Sequence, residues 1–129
     1  MKVAFATNDG EHINEHFGWT ELFAVYDVTP RSFSLVELRP IPHTEDHEEA
    51  DKIQHRVDVI RDCAMLHVTA IGGSAAAKVI RARIHPVKSE GDPTIVSILE
   101  KLQEVLQGTP PPWLRKLISQ NDSTSAMDI

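Results

Sequence analysis

Three short apolar stretches open the chain. KVAFAT (2–7) and LFAVYDV (22–28) read as buried strands, and SFSLVELR (32–39) alternates with a period of two. Thr29-Pro30-Arg31 turns the chain between the second and third, and Pro40 and Pro42 end the third. Together they predict an antiparallel meander. From Asp46 the period lengthens. Ala50, Ile53, Val57, Ile60 and Ala64 recur at intervals of three and four, which puts them on one face of a helix. Asp46 with Glu49 three residues later resembles a capping box, and Glu48, Glu49 and Asp51 suit the positive helix N-terminus. That electrostatic role explains the acidic run from Glu45 to Asp51 better than a metal cage does.

MLHVTAI (65–71) predicts a strand, Gly72-Gly73-Ser74 a tight turn, AAAKVIRA a short helix, and IHPVK (84–88) a last strand. Asp92 is the expected N-cap of a third helix, with Pro93 at its first position. Ile95, Ile98, Leu99, Leu102, Val105 and Leu106 form its apolar face, and Gly108 stops it. The order β-β-β-α-β-α-β-α implies an α/β protein with a mixed five-stranded sheet flanked by helices. Residues 1–108 are expected to form the domain, 109–119 a proline-rich link with a short amphipathic segment, and 120–129 a disordered tail. No internal repeat is present.

A length of 129 residues fits one domain with its own core. The net charge of −6 argues against a general nucleic-acid or anionic-membrane binder. Cys63 is the single cysteine, so no internal disulfide forms, in keeping with a reducing cytoplasm. The N-terminal apolar run is too short for a signal peptide, and no stretch approaches a membrane span. A soluble cytoplasmic protein is expected.

Seven histidines stand out, and four of them (His12, His16, His43 and His47) fall in the first 47 residues. The first loop, NDGEHINEHFG (8–18), holds two of these, more than a plain turn requires. His12 and His16 would share a face if helical, but Gly10 and Gly18 argue for irregular backbone. HINEH lacks the His-Glu-x-x-His order of zinc proteases, and one cysteine with scattered histidines does not make a closed zinc site. Such a loop suits one protein ligand on a large preassembled metal cluster. Nucleases built on a β-β-β-α-β-α-β sheet hold two divalent ions with carboxylates, one of them from the middle of the first strand. KVAFAT has no acid there, and Asp9 lies beyond it. Cys63 at a helix C-terminus reads as a buried structural thiol. Ser74 lacks the flanks of a nucleophile elbow, although the Gly72-Gly73-Ser74 turn could offer amides to an anion.

DGEHINEHFGWTELFAVYDV resembles the "HFG" signature of the dinitrogenase iron–molybdenum cofactor family. The order of elements, IGGSAAAKVI and the helix ending LQG resemble the same family to about residue 108, and PPPWLRK (110–116) resembles its NifX branch. The resemblance implies a ribonuclease-H-like three-layer fold without nuclease activity. It implies a non-enzymatic carrier of iron–sulfur precursors of the iron–molybdenum cofactor, passing them between a cluster donor, such as the NifB protein, and a scaffold or acceptor. Neither nucleic acid nor membrane is an expected partner. In relatives the histidine of HFG is implicated in cluster binding, which maps to His16, with Phe17 and Gly18 completing the signature. His12, His43, His47 and Cys63 are secondary candidates. Two other readings are a module that docks maturation partners through PPPWLRKL or the acidic helix start without ligating a cluster, and a small hydrolase, for which no base–nucleophile pair is visible.

Overall fold

The computed structural model describes residues 1–42 and 49–127, with side chains for 1–42 and 51–120. His43, His47 and the expected cap Asp46 lie outside the described residues.

β1 (Lys2–Ala6), β2 (Leu22–Val28) and β3 (Phe33–Pro40) form the meander. β1 pairs antiparallel with β2, and β2 antiparallel with β3. Pro40 is the last residue of β3 rather than the residue beyond it; an edge strand tolerates the missing N–H. α1 (Glu49–Val59) returns the chain to β4 (Met65–Val68), which is parallel to β1. α2 (Gly73–Arg81) then leads to β5 (His85–Lys88), parallel to β4. The sheet order is β3-β2-β1-β4-β5. α3 (Ile95–Gln107) and α4 (Pro112–Met127) follow.

Pleat alternation sends neighbouring residues of β1 into different layers. Ala4 and Ala6 join Phe17, Ile53, Val57 and Val79 beneath α1 and α2. Val3 and Phe5 join Ile13, Ile95, Leu99 and Leu114 beneath α3 and α4. The result is a three-layer α/β/α arrangement with both faces of the central strands buried. Leu114, at 1% exposure, ties the proline-led segment into this second core layer, with Pro112 at the first helical position.

Two expected boundaries move. The N-cap of α3 is Thr94, whose side chain accepts from the Ser97 amide, and not Asp92, which adopts φ 46° outside the helix. A threonine hydroxyl two residues further on reaches an orphan first-turn amide that the twisted backbone at Asp92 does not offer its carboxylate. β4 ends at Val68 rather than Ile71, because Thr69 and Ala70 pair with the histidine loop: the Thr69 amide donates to Glu15 O at 3.0 Å and the Phe17 amide to Ala70 O at 2.9 Å.

Candidate functional site

The loop between β1 and β2 lies at the carboxyl ends of the parallel strands, where open α/β sheets place their ligand crevices. Asp9 organises its first half. Its Oδ1 accepts from the Glu11 and His12 amides at 2.8 and 2.9 Å, and from the Thr7 hydroxyl at 3.1 Å. Gly10 supplies the left-handed residue of this turn, at φ 76°. These amide donors, with His12 itself, hold the Asp9 carboxyl well below the usual carboxylate range. Its Oδ2 lies 2.7 Å from His12 Nδ1. A carboxylate behind one ring nitrogen fixes the tautomer and turns the other nitrogen, Nε2, outward, the arrangement seen behind many metal-binding histidines.

Two buried anchors then steer the loop. Ile13, fully buried, belongs to the layer under α3 and α4. Phe17, also fully buried, belongs to the layer under α1 and α2, with its ring 6.0 Å from Phe23. The three residues between these points carry the chain across the top edge of the sheet. His12, paired to Thr94, therefore lies on the α3 side, and His16, paired to Ala70, on the side of the β4–α2 turn. The two histidines share one end of the molecule but not one face.

His16 is exposed, and its imidazole stacks on Trp19 with ring centroids 5.2 Å apart and planes 19° from parallel. Trp19 is itself 74% exposed, unusual for so large an apolar side chain. The His16 carbonyl accepts from the Trp19 and Thr20 amides at 3.1 and 3.0 Å, closing a tight turn that brings ring and indole together. Beside the indole is a cleft of about 330 Å³ that includes Asn8, Glu15 and Glu21. The Ala70 partner of His16 leads directly into Gly72, the N-cap of α2, which supplies no side-chain cap to the first-turn amides.

The remaining candidates fall elsewhere. Phe17 faces the core, so its part in the signature is to anchor the loop. Gly18 has ordinary backbone geometry, and a Cβ there would meet Ile53 Cδ1 at 3.7 Å, an ordinary contact, so no close approach demands it. Cys63 is buried at the opposite end of β4, where the next amide, of Ala64, donates to Lys2 O. Met65 to Ala70 alone spans roughly 17 Å of strand, so the thiol is not brought to the loop. Burial, with the neighbouring Asp62 charge, pushes that thiol up to about 12. Among the described residues no group of three or more His, Cys, Asp and Glu is placed to cage a metal ion. The sequence reading passed over Asp9 as a positioning group and Trp19 as a stacking partner. The i, i+3 spacings of Asp9 to His12 and of His16 to Trp19 were the available signals.

Comparison with known proteins identifies the family. A family model described as "Dinitrogenase iron-molybdenum cofactor" matches residues 1–105. The protein NifX of Herbaspirillum seropedicae is 47% identical over 122 residues, covering 93% of this chain and 83% of that protein. The protein NifY of Azotobacter vinelandii is 39% identical over 117 residues, covering 90% of this chain and 47% of that protein. The crystal structure of PH0822 superposes with a TM-score of 0.65 at 18% identity, covering 88% of this chain and 99% of that one, a likeness of fold alone. No helix among the described residues is long and apolar enough to cross a membrane.

Proposed function

This chain belongs to the dinitrogenase iron–molybdenum cofactor family, in whose biosynthetic pathway it acts, and from that premise we propose that it is a non-enzymatic carrier of the cofactor's iron–sulfur precursors. The supporting observation is the exposed His16 imidazole, stacked on Trp19 at the mouth of the strands and flanked by the uncapped start of α2. A neutral ring nitrogen is a good ligand for one iron at the surface of a preassembled cluster. The first-turn amides of α2 face the same end, where they suit sulfide or carboxylate oxygen on the cargo. His12, oriented by Asp9, offers a second nitrogen across the sheet edge. His43 and His47 belong to the segment that precedes α1 and remain further candidates from the sequence. Cys63 is left out of the set because of its place in the fold. One or two imidazoles, in place of a thiolate cage, hold a cluster loosely enough to release it. Partners in this reading are a cluster donor and an acceptor in cofactor biosynthesis.

The strand order, with three antiparallel strands followed by two parallel ones, supports a ribonuclease-H-like reading of the fold. β1 carries no acid at its centre, and the nearby Asp9 is committed to the loop amides and His12. Nuclease chemistry of the two-metal kind is therefore not part of the proposal.

The test is anaerobic loading. Purified protein is mixed with isolated iron–sulfur precursor, and the bound iron that survives gel filtration is measured for wild type and His16→Ala. Wild type is expected to retain a coloured complex, and the variant to lose most of it while keeping its circular dichroism spectrum. Equal retention by the two proteins would remove His16 from the ligand role.

A further inference from the structure

A second concave surface lies at the opposite end of the sheet. It is a groove of about 510 Å³ with Ile80, Arg83 and His85 on one wall and Trp113, Lys116 and Leu117 on the other. His85 and Trp113 stack across it, with ring centroids 4.3 Å apart and planes 18° from parallel. Ile80 is 61% exposed and Trp113 44% exposed, so the groove shows water two large apolar side chains that the fold could have covered. α4 presents Trp113, Lys116 and Leu117 to it, an i, i+3, i+4 set along one helix face.

Its charge runs against that of the molecule. The chain carries −6 overall, yet the described residues lining the groove include Arg83 and Lys116 and no acid. Neither cation is in an ion pair among the described residues. Arg83 also holds φ 65° where the chain leaves α2, a left-handed position that helix ends usually give to glycine or asparagine. An arginine there costs conformational energy that either of those residues would spare, and this arginine lines the groove.

We propose that this groove docks an acidic segment of a partner protein, one that inserts an apolar or aromatic side chain against Trp113 and Ile80 while its carboxylates meet Arg83 and Lys116. A bidentate guanidinium suits a carboxylate, and a helix face opposite a short strand leaves a channel of the size a peptide segment fills. The net charge of −6 over the whole chain disfavours long polyanions, so a short acidic motif suits the groove better than nucleic acid or an anionic membrane. The groove is roughly 17 Å down β4 from the His16 loop, so a docked partner leaves that loop open. The proposal stands whether or not His16 ligates a cluster.

The test pans a phage-displayed library of random 12-residue peptides on the immobilised full chain, then measures the enriched peptides by fluorescence polarisation. Enriched sequences are expected to be acidic, with one large apolar residue. Arg83→Glu, Lys116→Glu and Trp113→Ala, each with an unchanged thermal melt, are expected to weaken them about tenfold, and added salt to weaken them further. Iron–sulfur uptake by the two charge-reversal variants is expected to equal that of wild type. No enrichment, enrichment of neutral or basic peptides, or acidic peptides indifferent to all three variants would each overturn the proposal. Concentration-dependent self-association that Lys116→Glu abolishes would overturn it too, by assigning the groove to a second copy of the chain.

Discussion

Replacing His67 with leucine perturbs the most heavily buried titratable imidazole of the sheet. His67 lies mid-strand in β4 at 5% exposure, stacked 5.0 Å from Phe5 with planes 17° from parallel. Neither ring nitrogen has a hydrogen-bond partner among the described residues. Burial, reinforced by the nearby His85 charge, pushes its pKa down from 6.5 to about 4. The folded state thus holds the neutral ring, while the unfolded chain takes up a proton near pH 6.5. Stability tied to His67 is therefore complete above the unfolded pKa and lost as pH falls toward the folded one. The gap of 2.5 units corresponds to about 3 kcal/mol lost by pH 4, and to about 2 kcal/mol at pH 5. Leucine cannot protonate, so His67→Leu escapes that loss. At pH 7 it also removes two unpaired buried polar atoms, at about 1–3 kcal/mol each, against a lost ring stack of about 1 kcal/mol. The variant should be more stable by at least ~1 kcal/mol at pH 7, and by about 2 kcal/mol more at pH 5. Urea melts of both proteins at pH 7, 6 and 5 measure this directly. The difference between them isolates His67, because the carboxylates titrate alike in both. A difference that does not grow between pH 7 and pH 5 would refute the buried neutral imidazole.

Two further outcomes follow from the site geometry. A Cys63 thiol at about 12 holds about a thousandfold less thiolate than an ordinary cysteine at pH 8. Iodoacetamide should label it in urea at least a hundredfold faster than in the native protein, and rates within tenfold of each other by mass spectrometry would contradict its burial. If Trp19 holds the His16 ring in place, Trp19→Ala should weaken precursor retention about fivefold, from a stack worth about 1 kcal/mol, and Trp19→Phe should restore most of it. Equal retention by the alanine and phenylalanine variants would deny the indole that role.

Local pattern was sufficient for the succession of elements. Apolar runs at 2–7 and 22–28, a period-two run at 32–39, and period-3.6 runs around Ile53 and Leu99 are properties of adjacent residues, and they emerged as β1, β2, β3, α1 and α3. The family was also legible, because the HFG loop, the IGG turn and the PPPWL segment are contiguous motifs. Their boundaries were less so. The start of α3, where the Ile95 amide donates to Glu11 O, and the end of β4 depend on partners from a loop some eighty and fifty residues away in sequence.

The tertiary structure decided what those motifs do in space. Ile13 and Phe17 are both apolar residues of one loop, yet they plug opposite layers of the core, and that division separates His12 from His16. Cys63 read as a buried structural thiol from its place at a helix C-terminus, but only the parallel pairing of β1 with β4 put it at the far end of the sheet from the loop. The basic groove joins residues 80–85 to 113–117, two segments that only the packing of α4 against the sheet brings together. Side-chain chemistry and backbone period are written along the chain. Which chemistries meet depends on how buried surface is shared between distant segments, and no local spacing encodes that.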